Sequence, residues 1–146
     1  FTSHMDTALA EARAAAARGE TPVGAVVVCE GREIAADGNR VRALADPTAH
    51  AEMLALRAAA LRLGSERLTG CDLYVTLEPC PMCAGAISLA RIRRLYYGAA
   101  DPKSGGVEHG PRVFAHPTCH HAPEVYGGIG EREAAALLRA FFAARR

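Results

Sequence analysis

The sequence predicts an α/β fold built as one domain over residues 5–146. Three observations carry this. Residues 71–98 read strand, helix, strand, a βαβ unit whose two strands run parallel. Residues 23–29 form a short, uniformly apolar run rich in valine, the pattern of a strand buried on both faces. Ala- and Leu-rich stretches of helical character stand at both ends of the chain.

The elements follow in order. Met5 to Arg18 is Ala-rich with charges spaced around Leu9, and Gly19 stands just past its end as a C-cap. Thr21-Pro22 breaks the helix before the strand from Val23 to Cys29. Glu30-Gly31-Arg32 is a tight turn into a second strand at Glu33-Ile34-Ala35-Ala36, its hairpin partner. Asp46-Pro47-Thr48 is a helix-start signal with Thr48 as the cap, and Met53, Leu54, Leu56, Ala60, Leu61 and Leu63 form the apolar face before Gly64. Cys71 to Leu77 alternates as a third strand, and Pro79 and Pro81 suit the start of a helix running to Ala90. Ile92 to Tyr97 is the fourth strand. From Ala99 to Ala122 glycines and prolines interrupt any pattern around four histidines, and a loop this long in a compact domain is functional or disordered. Val125 and Tyr126 form a short fifth strand, and Glu131 to Arg146 is an amphipathic helix with Phe141 and Phe142 on its core side.

Composition bounds the function. Half of the 146 residues are hydrophobic and 23% are charged, ordinary for a globular protein, and no apolar run approaches a membrane span. A net charge of +1 is too small for a dedicated DNA-binding protein, so any nucleic-acid contact comes from local patches such as Arg91, Arg93, Arg94, Lys103 and Arg145-Arg146. Five cysteines fit no even-numbered disulfide framework; the expectation is a reducing cytoplasm, with two cysteines on a metal and Cys29, Cys71 and Cys119 as bystanders. Phe1-Thr2-Ser3-His4 ahead of Met5 reads as a cloning scar outside the fold.

The chemistry gathers in Thr48-Ala49-His50-Ala51-Glu52 and Glu78-Pro79-Cys80-Pro81-Met82-Cys83. Taken alone, Cys80-x-x-Cys83 is open between a redox dithiol and half of a structural zinc site. With His50 it becomes a three-ligand set, and zinc held for chemistry has three protein ligands and keeps one position for water. Glu52 is then the spare carboxylate, placed to move protons. His50 and Glu52 lie about 200° apart on a regular helix, but at a first turn both side chains can reach one pocket. A helix N-terminus favours the thiolate that zinc requires, and Cys80 falls at the C-terminal end of a strand, where α/β sites form.

These residues, H-x-E followed by P-C-x-x-C, resemble the cytidine deaminase superfamily, whose zinc chemistry and conserved glutamate are well described. The resemblance implies a three-layer α/β/α fold with a mixed five-stranded sheet. It runs closer to bacterial tRNA-specific adenosine deaminases, through Pro22-Val23-Gly24-Ala25, Gly38-Asn39-Arg40, Asp46 to Glu52, Thr76 to Cys80, Met82 to Gly85, Arg91-Ile92, Gly98-Ala99, Asp101, Lys103 and Phe141-Phe142. It implies one zinc per subunit on His50, Cys80 and Cys83, with Glu52 as the catalytic proton carrier. It further implies a substrate pocket formed by Asn39, Val23, Ala25, Ala99, Asp101 and His120. The expected reaction is deamination of adenosine to inosine at the wobble position of a tRNA anticodon, by a homodimer in the cytoplasm. The alternative is deamination of a free base, nucleoside or nucleotide. The chain departs from the family at His120-His121, where Asn-His is usual, and at Ser104 to His109.

Overall fold

The computed structural model describes residues 4–145. Helix α1 spans Met5–Ala17, β1 Gly24–Cys29, β2 Arg32–Gly38, α2 Ala51–Leu63, β3 Cys71–Leu77, α3 Pro81–Ala90, β4 Arg94–Ala99, β5 Glu124–Tyr126 and α4 Glu131–Ala143. The strands form one sheet in the order β2-β1-β3-β4-β5. β1 pairs antiparallel with β2 and β3, whereas β3–β4 and β4–β5 are parallel. The sheet is therefore mixed, and the parallel half is the βαβ unit expected from residues 71–98.

Alternation along β1 explains the three layers. Ala25 and Val27 point into a core shared with Ala55, Ala59, Ala84 and Ile87 of α2 and α3. Val26 and Val28 point the other way, against Met5, Leu9 and Ala134 of α1 and α4. A strand covered on both faces has no polar side to show, which is why its sequence is a continuous apolar run. Gly24 lets α1 lie directly on β1, because a Cβ there would stand 1.9 Å from the Ala8 carbonyl oxygen.

Several boundaries differ from expectation. α2 begins at Ala51 with His50 as N-cap, not at Thr48. Asp46 Oδ1 accepts the Thr48 N–H and hydroxyl (2.8 and 2.7 Å), folding 46–48 into a side-chain-closed turn ahead of the helix. β4 starts two residues later than expected, at Arg94. Cys29 and Cys71 are not free core thiols: they face each other across the antiparallel β1–β3 pair, with Cα atoms 4.5 Å apart, and form a disulfide. Phe142 is 52% exposed, since α4 fully buries only Ala134. Of the expected scar, Phe1, Thr2 and Ser3 lie outside the described residues, as does Arg146; His4 joins the fold, its ring bonded to Glu33 (2.7 Å) and edge-on to Tyr74.

Candidate active site

Two helix starts meet at the C-terminal end of β3. His50 is the N-cap of α2 and Cys80 the N-cap of α3, both in extended conformation, with Pro81 as the first helical residue. Proline suits that position because its missing N–H would be unpaired there in any case. Cys83 follows one turn along α3 and is fully buried.

His50 Nδ1 lies 3.7 Å from Cys80 Sγ and 3.5 Å from Cys83 Sγ. A tetrahedral zinc bonded at about 2.3 Å to sulfur and about 2.0 Å to nitrogen sets such ligands about 3.6 Å apart. The donor set therefore fits zinc in both atom type and spacing, and among the described residues it is the one cluster of this kind. Cys119 does not join it; its thiol donates to the His121 carbonyl oxygen and meets Ser88 Oγ at 3.4 Å.

Electrostatics prepares the site for a cation. The Cys83 thiol hydrogen-bonds Cys80, and this outweighs burial to pull the Cys80 thiol down to about 4, with His50 adding to the effect. Cys83 is pushed upward by the same thiolate and by burial. His50 is raised, chiefly through its hydrogen bond to Cys80. Burial pushes the Glu52 carboxyl up to about 7 against the pull of its own backbone N–H and of His50.

His50, Glu52 and Cys80 line a cavity of about 460 Å³ that runs from buried Glu52 to the exposed Arg42 and Arg145. Val23, Asn39 and Asp101 also line it. Asn39 Oδ1 accepts the Ala51 N–H at 2.8 Å, satisfying the first amide of α2 and leaving the Asn39 amide nitrogen for other partners. Asp101 Oδ1 accepts the N–H groups of Lys103 and Ser104, so that carboxylate shapes its own loop. Ala25 and Ala99 are buried and do not line the cavity, and His120 lies in a second cavity beside Pro81, Gly85 and Leu89.

Glu20, Glu78 and Arg42 carry no role in the sequence reading, and Phe141, expected on the core side of the last helix, has a different one. Glu20 is buried and accepts the N–H groups of Arg42 (3.1 Å) and Ala43 (2.8 Å), fastening the loop after Asn39. Glu78, with no exposed side-chain surface, does the same for residues 101–109. Phe141 lines the cavity, with the Arg145 guanidinium 3.4 Å above its ring. Arg42 stands at the rim. A charged residue beside a glycine turn or at the end of an apolar strand is the available signal, and it marks Glu20 and Glu78.

The comparisons agree with this geometry. The model of the cytidine and deoxycytidylate deaminase zinc-binding region matches residues 2–99. A tRNA-specific adenosine deaminase of Agrobacterium fabrum is 62% identical, over 99% of this chain and 95% of its own length. A solved structure from studies of A-to-I editing by tRNA:A34 deaminases at the wobble position of transfer RNA is 63% identical, with a TM-score of 0.91 over 92% of this chain and 97% of that one. A guanine deaminase of Bacillus subtilis is 33% identical, with a TM-score of 0.67 over 99% of this chain and 94% of its own. The chain belongs to the zinc-binding cytidine and deoxycytidylate deaminase family, among the tRNA-specific adenosine deaminases.

Proposed function

We propose that this protein deaminates adenosine to inosine at the wobble position of a tRNA anticodon, with water consumed and ammonia released. The observation that carries the reading is a buried carboxyl, Glu52, beside a His-Cys-Cys ligand set in a cavity that ends in exposed arginines. The inner end supports hydrolytic deamination and the arginine rim supports a phosphate-bearing substrate. Similarity to the tRNA-specific adenosine deaminase of Agrobacterium fabrum, 62% identical against 33% for the guanine deaminase, supports tRNA over a free base.

In this reading His50, Cys80 and Cys83 hold one zinc, which acts as a Lewis acid and makes a water nucleophilic near neutral pH. Glu52 takes the proton from the attacking water and passes it to the departing amine. Burial keeps this carboxyl near neutrality, where it can both accept and donate. Asn39 donates from its free amide nitrogen to the flipped nucleotide. Val23 walls the base, with Ala25 and Ala99 behind it, and Asp101 holds the turn that meets the anticodon loop. Phe141 offers a face for stacking of an unpaired base.

His120 lines the second cavity and not the one that holds Glu52, and in this reading it reaches substrate bound by a second subunit. The active form in this reading is a homodimer. Leu61 and Leu89, at 85% and 64% exposure, support a covered apolar face. No helix of the described residues is long and apolar enough to cross a membrane, and a tRNA substrate assigns the protein to the cytoplasm. Residues 5–146 act as one catalytic unit. Incubation with tRNA of anticodon ACG, followed by sequencing, should read G in place of the wobble A. No conversion by protein carrying one zinc per chain refutes the reading.

A further inference from the structure

We propose that Glu78 is a positioning residue for RNA binding, which holds the substrate-facing loop 101–109 against the cysteine turn. This rests on the reading above. Glu78 borders the same cavity as His50 and Cys80, but its side chain is fully buried and its five donors all belong to the loop. Oε1 accepts from the Asp101 N–H (3.0 Å) and from His109 Nδ1 (2.7 Å). Oε2 accepts from the N–H groups of Val107 (3.2 Å), Glu108 (2.9 Å) and His109 (3.1 Å). The loop has no strand or helix of its own over these residues, so one buried carboxylate takes the place of a hydrogen-bonding ladder.

Backbone packing points the same way. The Gly106 N–H donates to the Pro79 carbonyl at 2.8 Å. A Cβ on Gly106 would stand 2.6 Å from Pro81 N and 2.8 Å from the Cys80 carbonyl carbon. A Cβ on Gly105 would stand 2.6 Å from Glu78 Oε2. The loop thus seats directly on the turn that carries Cys80, and it presents Asp101 and Ser104 to the cavity. Glu78 acts through those two residues and touches no substrate.

Replacing the carboxylate with an amide must turn an NH₂ toward N–H donors whichever way it sits, because both oxygens are engaged from the loop. For Glu78→Gln we expect unchanged zinc content and faster hydrogen exchange at Val107, Glu108 and His109. On anticodon stem-loop RNA, KM should rise about tenfold or more while the rate at saturating RNA falls less than about threefold. Glu78→Asp should recover part of the lost KM. A role in stability alone would lower the melting temperature and the active fraction and leave KM unchanged. That result overturns the proposal, as does an effect confined to zinc content. If Glu78→Gln does not fold, Gly106→Ala tests the same seating with the carboxylate intact: a raised KM supports it and an unchanged KM overturns it. Wild-type protein that makes no inosine refutes the functional reading itself; active wild type with unchanged KM in the variants refutes only the role of Glu78.

Discussion

His50 Nδ1 and Cys83 Sγ stand 3.5 Å apart, although 33 positions separate them in the chain. One caps α2 and the other lies in the first turn of α3, so the relative placement of two helix starts sets the ligand geometry. Both helices share one apolar core with the same face of β1, β3 and β4. Packing on the sheet is therefore what brings the donor set together.

Metal removal should accordingly loosen the site without unfolding the sheet. Chelation is expected to lower the melting temperature, since a bound ligand at a thousand times its Kd stabilises by about 4 kcal/mol. It should also expose the Cys80 and Cys83 thiols to a colorimetric thiol reagent, and added zinc should reverse both changes. A thiol count that does not change on chelation argues against these ligands.

Glu52→Gln should retain zinc and fold but lose about 10²–10⁴-fold in turnover, the usual contribution of a positioned acid–base group. The same variant has a stability signature. The Glu52 carboxyl is raised by burial to about 7, above its unfolded value. Metal-free wild type therefore loses stability as pH rises from about 4.5 to 7, because the unfolded chain gives up its proton first. Glu52→Gln removes that loss, and metal-free variant should melt higher than metal-free wild type at pH 8 but not at pH 4. The difference is on the order of 3 kcal/mol. Melting curves at the two pH values read it directly.

Glu20 carries the opposite sign. Burial raises its carboxyl, but the N–H groups of Arg42 and Ala43, with the charges of Arg18 and Arg42, hold it below the usual carboxylate range. Its contribution is present above about pH 4.5 and is lost as pH falls through the lowered value. Glu20→Gln should flatten the acid limb of the stability profile and raise KM for RNA by loosening the loop that carries Arg42. An unchanged acid limb contradicts this.

What could be read from the sequence followed from local rules. Strand β1 shows itself through continuous apolar residues, and the βαβ unit through prolines that end β3 and begin α3. His50, Cys80 and Cys83 are legible because zinc demands particular atoms at particular spacings. Features that depend on partners distant in sequence were not legible. Cys29 and Cys71 are 42 positions apart, and only the β1–β3 register makes them opposite. Thr48 has the chemistry of an N-cap, yet Asp46 takes its N–H and hydroxyl and Asn39 takes the first helical amide. Glu78 stands in the motif as one more polar residue until the loop folds over it. Phe142 has the helical phase of a core residue, but too little of the sheet lies beneath that end of α4 to cover it.

The Cys29–Cys71 pair yields a thermodynamic expectation. A cross-link closing a loop of this length stabilises by roughly 2–4 kcal/mol through the unfolded chain. Relative to oxidised wild type, reduced wild type or Cys71→Ser should be less stable by that order, while zinc content and inosine formation persist. Wild type and variant unfolding at the same denaturant concentration would show that the bond does not form in solution.

The most direct test of the account is the source of the new oxygen. Zinc-loaded protein and tRNA bearing a wobble adenosine are incubated in heavy-oxygen water, and the product nucleoside is analysed by mass spectrometry. The account predicts inosine at the wobble position carrying the heavy oxygen, one ammonia released per inosine, and neither product with Glu52→Gln. Inosine without the label, or undiminished conversion by Glu52→Gln, would contradict it.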